Sequence, residues 1–156
     1  MTPAINCADS AKLQYNVHQY EHDKNAASYG EEAAEKLNIP ASRVFKTLVV
    51  ALDSGALAVS VIPVTDQLNL KRMASAVKAK KAKMADPKAV ERSSGYVLGG
   101  VSPLGQKKVL KTVIDKRALG FETIFVSAGR RGLEIELSPN DLASVLNATF
   151  ADLGKA

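Results

Sequence analysis

The chain contains few cysteine, histidine and aromatic residues, and their scarcity limits the disulfides, metal sites and core packing that it can form. Cys7 is alone among 156 residues, so an internal disulfide is excluded, as expected in a reducing compartment. Tryptophan is absent and aromatic residues make up 5% of the chain, which leaves the core to aliphatic side chains. His18 and His22 are the two histidines, and the residue after His18 is not the glutamate of the H-E-x-x-H metalloprotease pattern. We therefore expect no metal ion and no cofactor.

Long apolar runs and nucleotide-binding glycine motifs are also missing. No stretch approaches the ~18 apolar residues of a membrane span, and the first six residues do not resemble a signal peptide. A soluble, cytoplasmic protein is therefore expected. The dinucleotide glycine motif, the Walker loop and the serine-hydrolase elbow are absent. Neither a repeat nor a linker divides the chain, so we expect a single domain over residues 1–156.

Positive charge is in excess. Lysine and arginine number 21 against 16 acidic residues, giving a formal net charge of +5 and an isoelectric point of about 9.3. Such a balance favours acidic partners, but charge alone leaves nucleic-acid binding and its absence equally open. Lysines are densest at 78–83, where a solvated surface is the ordinary interpretation and a track along an RNA backbone is the alternative.

Apolar periodicity and turn residues predict an irregular alternation of helices and strands. Helices are expected near 2–13, 28–37, 68–78, 87–95 and 138–146, and strands near 15–20, 44–52, 56–64, 112–114, 122–127, 133–137 and 149–152. Two of the strand pairs read as hairpins, around 53–55 and 128–132. This order predicts a mixed α/β (α+β-like) fold, with a largely antiparallel or mixed, barrel-like sheet surrounded by helices.

Lys46 is unusual because it interrupts an apolar strand pattern, Val44 to Val50. Burying an ammonium group without a partner is costly. The side chain therefore either points to solvent by alternation, which the residues alone favour, or reaches a pocket that receives an anion.

A glycine-rich loop, 95–105, is the second unusual feature. It holds four glycines and Pro103, and lysines follow it at 107, 108 and 111. Glycines let a backbone approach a ligand and present amides to it, so this loop suits a phosphate or ester substrate. An ordinary surface loop with solvated charges is the alternative, and the turn 129–132 is compatible with the same site or with hairpin geometry alone.

Three segments carry a resemblance to a known family: VFKTL at 44–48, GYVLGGVSPLGQKK at 95–108 and SAGRRGLEIEL at 127–137. Together they resemble the YbaK/EbsC family of free-standing Cys-tRNA(Pro) deacylases, relatives of the editing insertion of bacterial prolyl-tRNA synthetases. The resemblance covers essentially the whole chain.

The resemblance implies a trans-editing hydrolase without a protein nucleophile, in which the substrate's own cysteine thiol attacks its ester and leaves as a cyclic thiolactone. It implies that Lys46 is the catalytic residue and faces the pocket, while the Gly99–Pro103 segment receives the ester and terminal adenosine. Expected partners are the aminoacylated acceptor end of tRNA and prolyl-tRNA synthetase, with no membrane. The implied substrate-binding residues are Tyr20, Tyr29, Thr47, Tyr96, Gly99, Gly100, Val101, Ser102, Pro103, Ser127, Gly129, Arg130, Gly132 and Glu134.

Two other functions remain open at this point. One is deacylation of another small amino acid, such as alanine, by water attack; the other is a non-catalytic tRNA- or synthetase-binding module. The chain also departs from the family pattern, which commonly has glycine at the position of Ala128 and aspartate at that of Glu134. The extra methylene of Glu134 changes the reach of that carboxylate.

Overall fold

The computed structural model describes residues 1–25 and 28–156. Its helices in chain order are α1 (Pro3–Ser10), α2 (Tyr29–Lys36), α3 (Leu70–Ala76), α4 (Pro87–Ser94) and α5 (Pro139–Leu146), with 3-10 segments at Ala41–Arg43 and Lys116–Gly120. Its strands are β1 (Tyr15–Gln19), β2 (Phe45–Leu52), β3 (Leu57–Pro63), β4 (Ala82–Met84), β5 (Lys111–Asp115), β6 (Ile124–Arg130), β7 (Leu133–Leu137) and β8 (Thr149–Ala151).

Side-chain caps fix where several helices begin, as their sequences predict. The Ser28 hydroxyl, the Asp86 carboxylate and the Ser138 hydroxyl each accept a hydrogen bond from a free amide in the first turn of α2, α4 and α5. Helix α4 ends at Gly95, whose φ of 83° is the left-handed conformation that terminates helices. This stop starts the glycine-rich loop at a defined point.

The strands form two sheets. One has the order β1-β7-β6, and the other has the order β4-β2-β3-β5-β8. Both predicted hairpins are present as the antiparallel pairs β2–β3 and β6–β7, whereas β5 pairs in parallel with β3 and β8. The predicted mixed α/β class is confirmed. The barrel-like closure is corrected, because the short strands β4 and β8 are the two open edges of the larger sheet.

The two sheets meet at a seam beside the start of β2. Val44 forms an isolated parallel bridge with Phe125 of β6. Next to it, the Arg43 guanidinium donates to the Thr123 backbone carbonyl at 3.1 and 3.2 Å and to the Thr123 hydroxyl at 2.6 Å. The start of β2 is thereby held against β6.

Alternating residues of the larger sheet bury its two faces against different helices. Val49 joins a core cluster that also holds Val90 of α4 and Ile135 of the smaller sheet, while Val50 joins another with Met73 of α3. Helices α3 and α4 therefore cover opposite faces. Because one cluster contains side chains of both sheets, we propose that residues 1–156 form one domain. No helix of the described residues is long and apolar enough to cross a bilayer.

Candidate active site

A cavity of about 300 Å³ opens between the start of α2, the first half of β2, the loop after α4 and the β6–β7 hairpin. Nine of the predicted site residues line it: Tyr20, Tyr29, Lys46, Thr47, Gly99, Val101, Ser127, Arg130 and Glu134. The structure thus brings together positions that lie more than 110 residues apart in the chain. Eight further residues complete the wall: Ser28, Gly30, Val44, Phe45, Leu48, Val64, Leu98 and Arg131.

Lys46 is a half-buried cation in this wall. Strand β2 places it opposite Ile62 of β3. Burial lowers the pKa of its ammonium group, and the negative charges of Asp66 and Glu31 partly offset that effect. Within the described residues its Nζ makes neither a hydrogen bond nor an ion pair. The ammonium is therefore available to a negatively charged or polarised group that enters the cavity.

The Thr47 hydroxyl is a second unused polar group. Its Oγ1 is buried and has no hydrogen-bond partner among the described residues. Leaving such a group unsatisfied costs about 1–3 kcal/mol. A ligand atom that pairs with this hydroxyl recovers that free energy.

Glu134 is the carboxyl group of the cavity. It lies on the central strand β7, opposite His18 of β1 and Ser127 of β6, and is only 7% exposed. Burial raises the pKa of this carboxyl to about 8, and none of the cations in the described residues pairs with it. Burial, followed by the negative charge of Glu134, raises the pKa of the Tyr20 phenol to about 12. At neutral pH the cavity therefore contains a mostly protonated carboxyl group.

At Gly99 the loop lies close to both α2 and the β6–β7 turn. Its φ is 89°, and a Cβ there would stand 2.5 Å from Arg131 Nε and 2.8 Å from Tyr29 Cε2. The Arg131 guanidinium carbon in turn lies 3.9 Å from the centroid of the Tyr29 ring, a cation–π contact. Glycine is required here both by backbone conformation and by this close approach.

We expect Gly99→Ala to weaken substrate binding as well as stability. The left-handed conformation alone costs an alanine about 1–2 kcal/mol in the free energy of unfolding. The new methyl group also displaces Arg131 from Tyr29, which should raise the KM for the substrate several-fold. Urea denaturation and initial-rate measurements check the two effects.

Gly55→Ala is the matched control for this prediction. Gly55 has a φ of 90° but no neighbour within 4 Å of its missing Cβ. It should therefore lose similar stability without any change in KM. An equal KM in the two variants would contradict the steric role of Gly99.

Six predicted site residues do not line the cavity. Tyr96 is buried and its hydroxyl donates to the Leu104 carbonyl at 2.6 Å, while the Ser102 hydroxyl accepts from the Leu104 amide at 3.2 Å. Both side chains stabilise the conformation of the loop through these hydrogen bonds. The full set that does not line the cavity is Tyr96, Gly100, Ser102, Pro103, Gly129 and Gly132.

The glycines of this set permit close backbone packing. A Cβ on Gly100 would lie 2.9 Å from Arg130 Cα, and one on Gly132 would lie 2.7 Å from the Tyr20 carbonyl oxygen. The Gly100 amide already donates to the Val97 carbonyl at 3.0 Å, so it is not free for a substrate. These residues position the wall, and direct contact between them and the substrate stays a prediction.

Both histidines have carboxylate partners outside the cavity wall. His18 Nε2 lies 2.8 Å from Glu136 Oε1, and His22 Nδ1 lies 2.7 Å from Glu32 Oε1. Of the residues that the structure describes, no three His, Cys, Asp or Glu side chains gather as a metal site would require.

Residues 23–145 match the family model of the aminoacyl-tRNA editing domain. The chain belongs to the aminoacyl-tRNA editing domain family. The predicted YbaK/EbsC resemblance is confirmed, and the chain is an enzyme, an aminoacyl-tRNA deacylase. A protein of Enterococcus faecalis, EbsC, named as a candidate Cys-tRNA(Pro)/Cys-tRNA(Cys) deacylase, is 37% identical over 152 residues, covering 97% of this chain and 92% of that protein.

Two other relatives extend the comparison. A proline–tRNA ligase of Acidithiobacillus ferrooxidans is 30% identical over 102 residues, which are 65% of this chain but 18% of the ligase. The crystal structure of a candidate trans-editing enzyme for prolyl-tRNA synthetase superposes with a TM-score of 0.86 at 20% identity, covering 99% of this chain and 96% of that one. This structural likeness shows that the two proteins share the editing-domain fold.

Proposed function

We propose that this deacylase acts in trans on mischarged Cys-tRNA(Pro). The cavity carries the proposal: it combines an unpaired ammonium, an unpaired hydroxyl and a buried carboxyl, while none of its described lining residues is cysteine or histidine. Such a site can bind and polarise an aminoacyl ester but offers no activated protein thiol or imidazole-based dyad. The name of the E. faecalis relative supports the choice of cysteine and proline tRNA.

Three groups divide the recognition of the aminoacyl end in this proposal. Lys46 provides positive charge to the ester oxygens, where negative charge develops during attack. Thr47 donates a hydrogen bond to the same region. Glu134 faces the α-ammonium group, whose positive charge lowers the pKa of the carboxyl and compensates for its burial.

The substrate thiol supplies the nucleophile. Its sulfur attacks the ester carbonyl carbon, a C–S bond forms, the C–O bond to the ribose breaks, and the thiol proton ends on the ribose oxygen that leaves. The products are free tRNA and a four-membered cysteine thiolactone, which water then opens to cysteine. Holding thiol and ester in one small cavity gives the reaction the advantage of proximity.

A panel of tRNA charged with cysteine, serine, alanine or proline tests this proposal. We expect the serine ester to be cleared about 10²-fold more slowly than the cysteine ester, because a hydroxyl is a much weaker nucleophile than a thiol at neutral pH. Single-turnover deacylation rates and detection of the thiolactone provide the measurement.

Each alternative gives a different result in the same panel. Serine cleared as fast as cysteine contradicts thiol attack, and faster clearance of alanine identifies a water-dependent deacylase for that amino acid. Binding without deacylation at stoichiometric enzyme identifies a non-catalytic module.

Prolyl-tRNA synthetase is the partner that this proposal adds. Charging Cys onto tRNA(Pro) is the error of that enzyme, and proline–tRNA ligases contain a segment similar to this chain. A deacylase bound to the synthetase would meet the misacylated product on release, in the cytoplasm. Co-sedimentation of the purified protein with prolyl-tRNA synthetase, with and without tRNA(Pro), tests the association.

A further inference from the structure

The positive charge of the protein is concentrated in one stretch of chain. Residues 78–111 contain nine of the 21 basic residues and only two of the 16 acidic ones, a net charge of +7. The rest of the chain is left with a net charge of −2. The overall excess of +5 is therefore entirely due to this segment, which contains the cavity loop.

The fold places several of these cations on the edge strand β4, along α4 and at the carboxyl end of α4. Lys83 is exposed on the edge strand β4, and Lys88 and Arg92 follow at i and i+4 on one side of α4. The amides of Lys107 and Lys108 donate to the carbonyls of Ser94 and Ser93 at 3.1 and 2.9 Å, which places both lysines at the carboxyl end of α4. We call these five residues, together with Arg130 at the cavity, the basic track.

The loop connects the basic track to the cavity. It leaves α4 at Gly95, and Leu98 and Gly99 already line the cavity wall. Arg130 belongs to the same wall, and its Cα would lie 2.9 Å from a Cβ on Gly100. Cations thus occur on the edge strand of the larger sheet, on and after α4, and in the cavity wall.

The charges of the basic track are not neutralised by carboxylates. Ion pairs among the described residues use Lys36, Arg43, Arg72 and Arg117 as cations, and none involves the track. The nearby Asp86 carboxylate is engaged by the Lys88 backbone amide at 3.2 Å, and Glu91 is the other acidic residue of the segment. Tyr96, its aromatic residue, is buried. The surface offers charge without a ring on which a base could stack.

We propose that the basic track binds the phosphate backbone of the tRNA acceptor stem, so that the 3′ end enters the cavity. The inference rests on the proposed function for the identity of the RNA. Contacts to phosphates alone carry no sequence information, so this surface holds any acceptor stem and adds affinity without selecting the tRNA.

Equilibrium binding of uncharged tRNA at several salt concentrations tests the basic track. The variant Lys88→Gln/Arg92→Gln/Lys108→Gln is compared with Lys12→Gln/Lys71→Gln/Lys116→Gln, which removes the same charge from exposed positions elsewhere. Lys71 lies on α3, on the opposite face of the larger sheet from α4. Thermal unfolding of each variant confirms that it is folded.

We expect the track variant to bind tRNA about tenfold or more weakly, and its slope of log K against log salt to become shallower by about 2. The control variant should keep both values within twofold of wild type. Equal losses in the two variants, or none in either, overturn the proposal, as does a track variant that loses only synthetase binding.

A separate measurement keeps this inference distinguishable from the proposed function. Cleavage of free cysteine ethyl ester by the wild-type protein reports on the cavity without any tRNA. If wild type fails to deacylate both this ester and Cys-tRNA(Pro) while the track variant still loses tRNA affinity, the proposed function fails and the RNA surface stands. If wild type deacylates normally while the track variant binds tRNA as tightly as wild type, the proposed function stands and the RNA surface fails.

Discussion

Lys46→Ala is expected to lower the single-turnover rate of Cys-tRNA(Pro) deacylation by about 10²–10³-fold, the loss typical of removing one electrostatic donor from a site of this kind. The reason is the position of the ammonium: it is half-buried in the cavity wall and no described side chain neutralises it. Its positive charge should act more strongly on the transition state than on the ground state. The expected loss therefore lies in kcat more than in KM.

Stability distinguishes this role from a structural one. Burial disfavours the charged form of Lys46 and lowers its pKa, and none of the ion pairs among the described residues involves Lys46. Lys46→Met, which keeps the length of the side chain and removes the charge, should unfold at the same or a higher urea concentration than wild type. Its deacylation rate should nevertheless fall as far as that of Lys46→Ala.

Lys111→Ala is the matched control for position 46. Lys111 also lies on a strand of the larger sheet, but its side chain is exposed and outside the cavity wall. Its substitution should leave kcat within twofold of wild type. A normal rate in Lys46→Ala would show that Lys46 has no part in the chemistry.

Glu134→Gln is expected to change the pH dependence of stability. The pKa of the Glu134 carboxyl is about 8 in the folded protein, because it is buried, and about 4.5 in a model compound. Between these values the folded state holds more protons than the unfolded state, so wild-type stability falls as pH rises from about 4.5 to about 8. The loss stops above that range, where both states are ionised.

The Glu134→Gln variant carries no titrating group at this position, so its stability does not fall with pH for this reason. At about 1.4 kcal/mol per pKa unit, Glu134→Gln should be more stable than wild type by several kcal/mol at pH 9. The advantage should vanish near pH 4. Urea denaturation between pH 4 and pH 9 provides the two curves, and curves that stay parallel throughout would contradict the buried, unpaired state of this carboxyl.

Glu136→Gln should behave in the opposite way on the same strand. Burial opposes ionisation of Glu136, but hydrogen bonds from Thr123 and His18 and the charge of Arg43 hold the pKa of its carboxyl below the ordinary value. Its substitution should therefore cost stability at neutral pH, and less at low pH. The contrast arises because Glu136 has partners at 2.8 and 3.4 Å, whereas Glu134 has none.

Local signals in the sequence predict much of this fold because they act over a few residues. The caps of Ser28, Asp86 and Ser138 and the turn at 53–55 depend on neighbours within one turn, and all lie where the pattern indicates. Strand β4 is not predicted, since Lys83 and the lysines before it indicate a solvated surface. It is an edge strand, held to β2 through pairs such as Ala51 with Lys83.

Long-range features lay beyond such reasoning. The insertion of β5 between β3 and β8, parallel to both, depends on packing of the whole chain. Tyr96 follows a helix stop at the head of the loop, a position typical of a site residue, yet its ring turns into the core. The sequence does not indicate Arg131 as part of the cavity wall, because its contact with Tyr29 joins residues about a hundred positions apart.

Lys46 and the glycine-rich loop could be assigned to one site from the sequence, because the family pattern already joins distant segments. Composition and alternation favoured solvent for Lys46, and it was the resemblance that indicated the pocket. The structure places Lys46 in the cavity wall together with Gly99 and Glu134. The apolar remainder of the wall, such as Val44, Phe45 and Leu48, carries no local mark that distinguishes it from ordinary core.

The seam between the sheets has a consequence for how such a cavity adapts to its amino acid. Lys46 belongs to the five-stranded sheet and Glu134 to the three-stranded sheet, and the two sheets are fastened at Val44–Phe125 and Arg43–Thr123. The distance between the Lys46 ammonium and the Glu134 carboxyl therefore depends on how the two sheets meet at this seam. Substitutions along this seam would change the width of the cavity while every polar group of the site is kept.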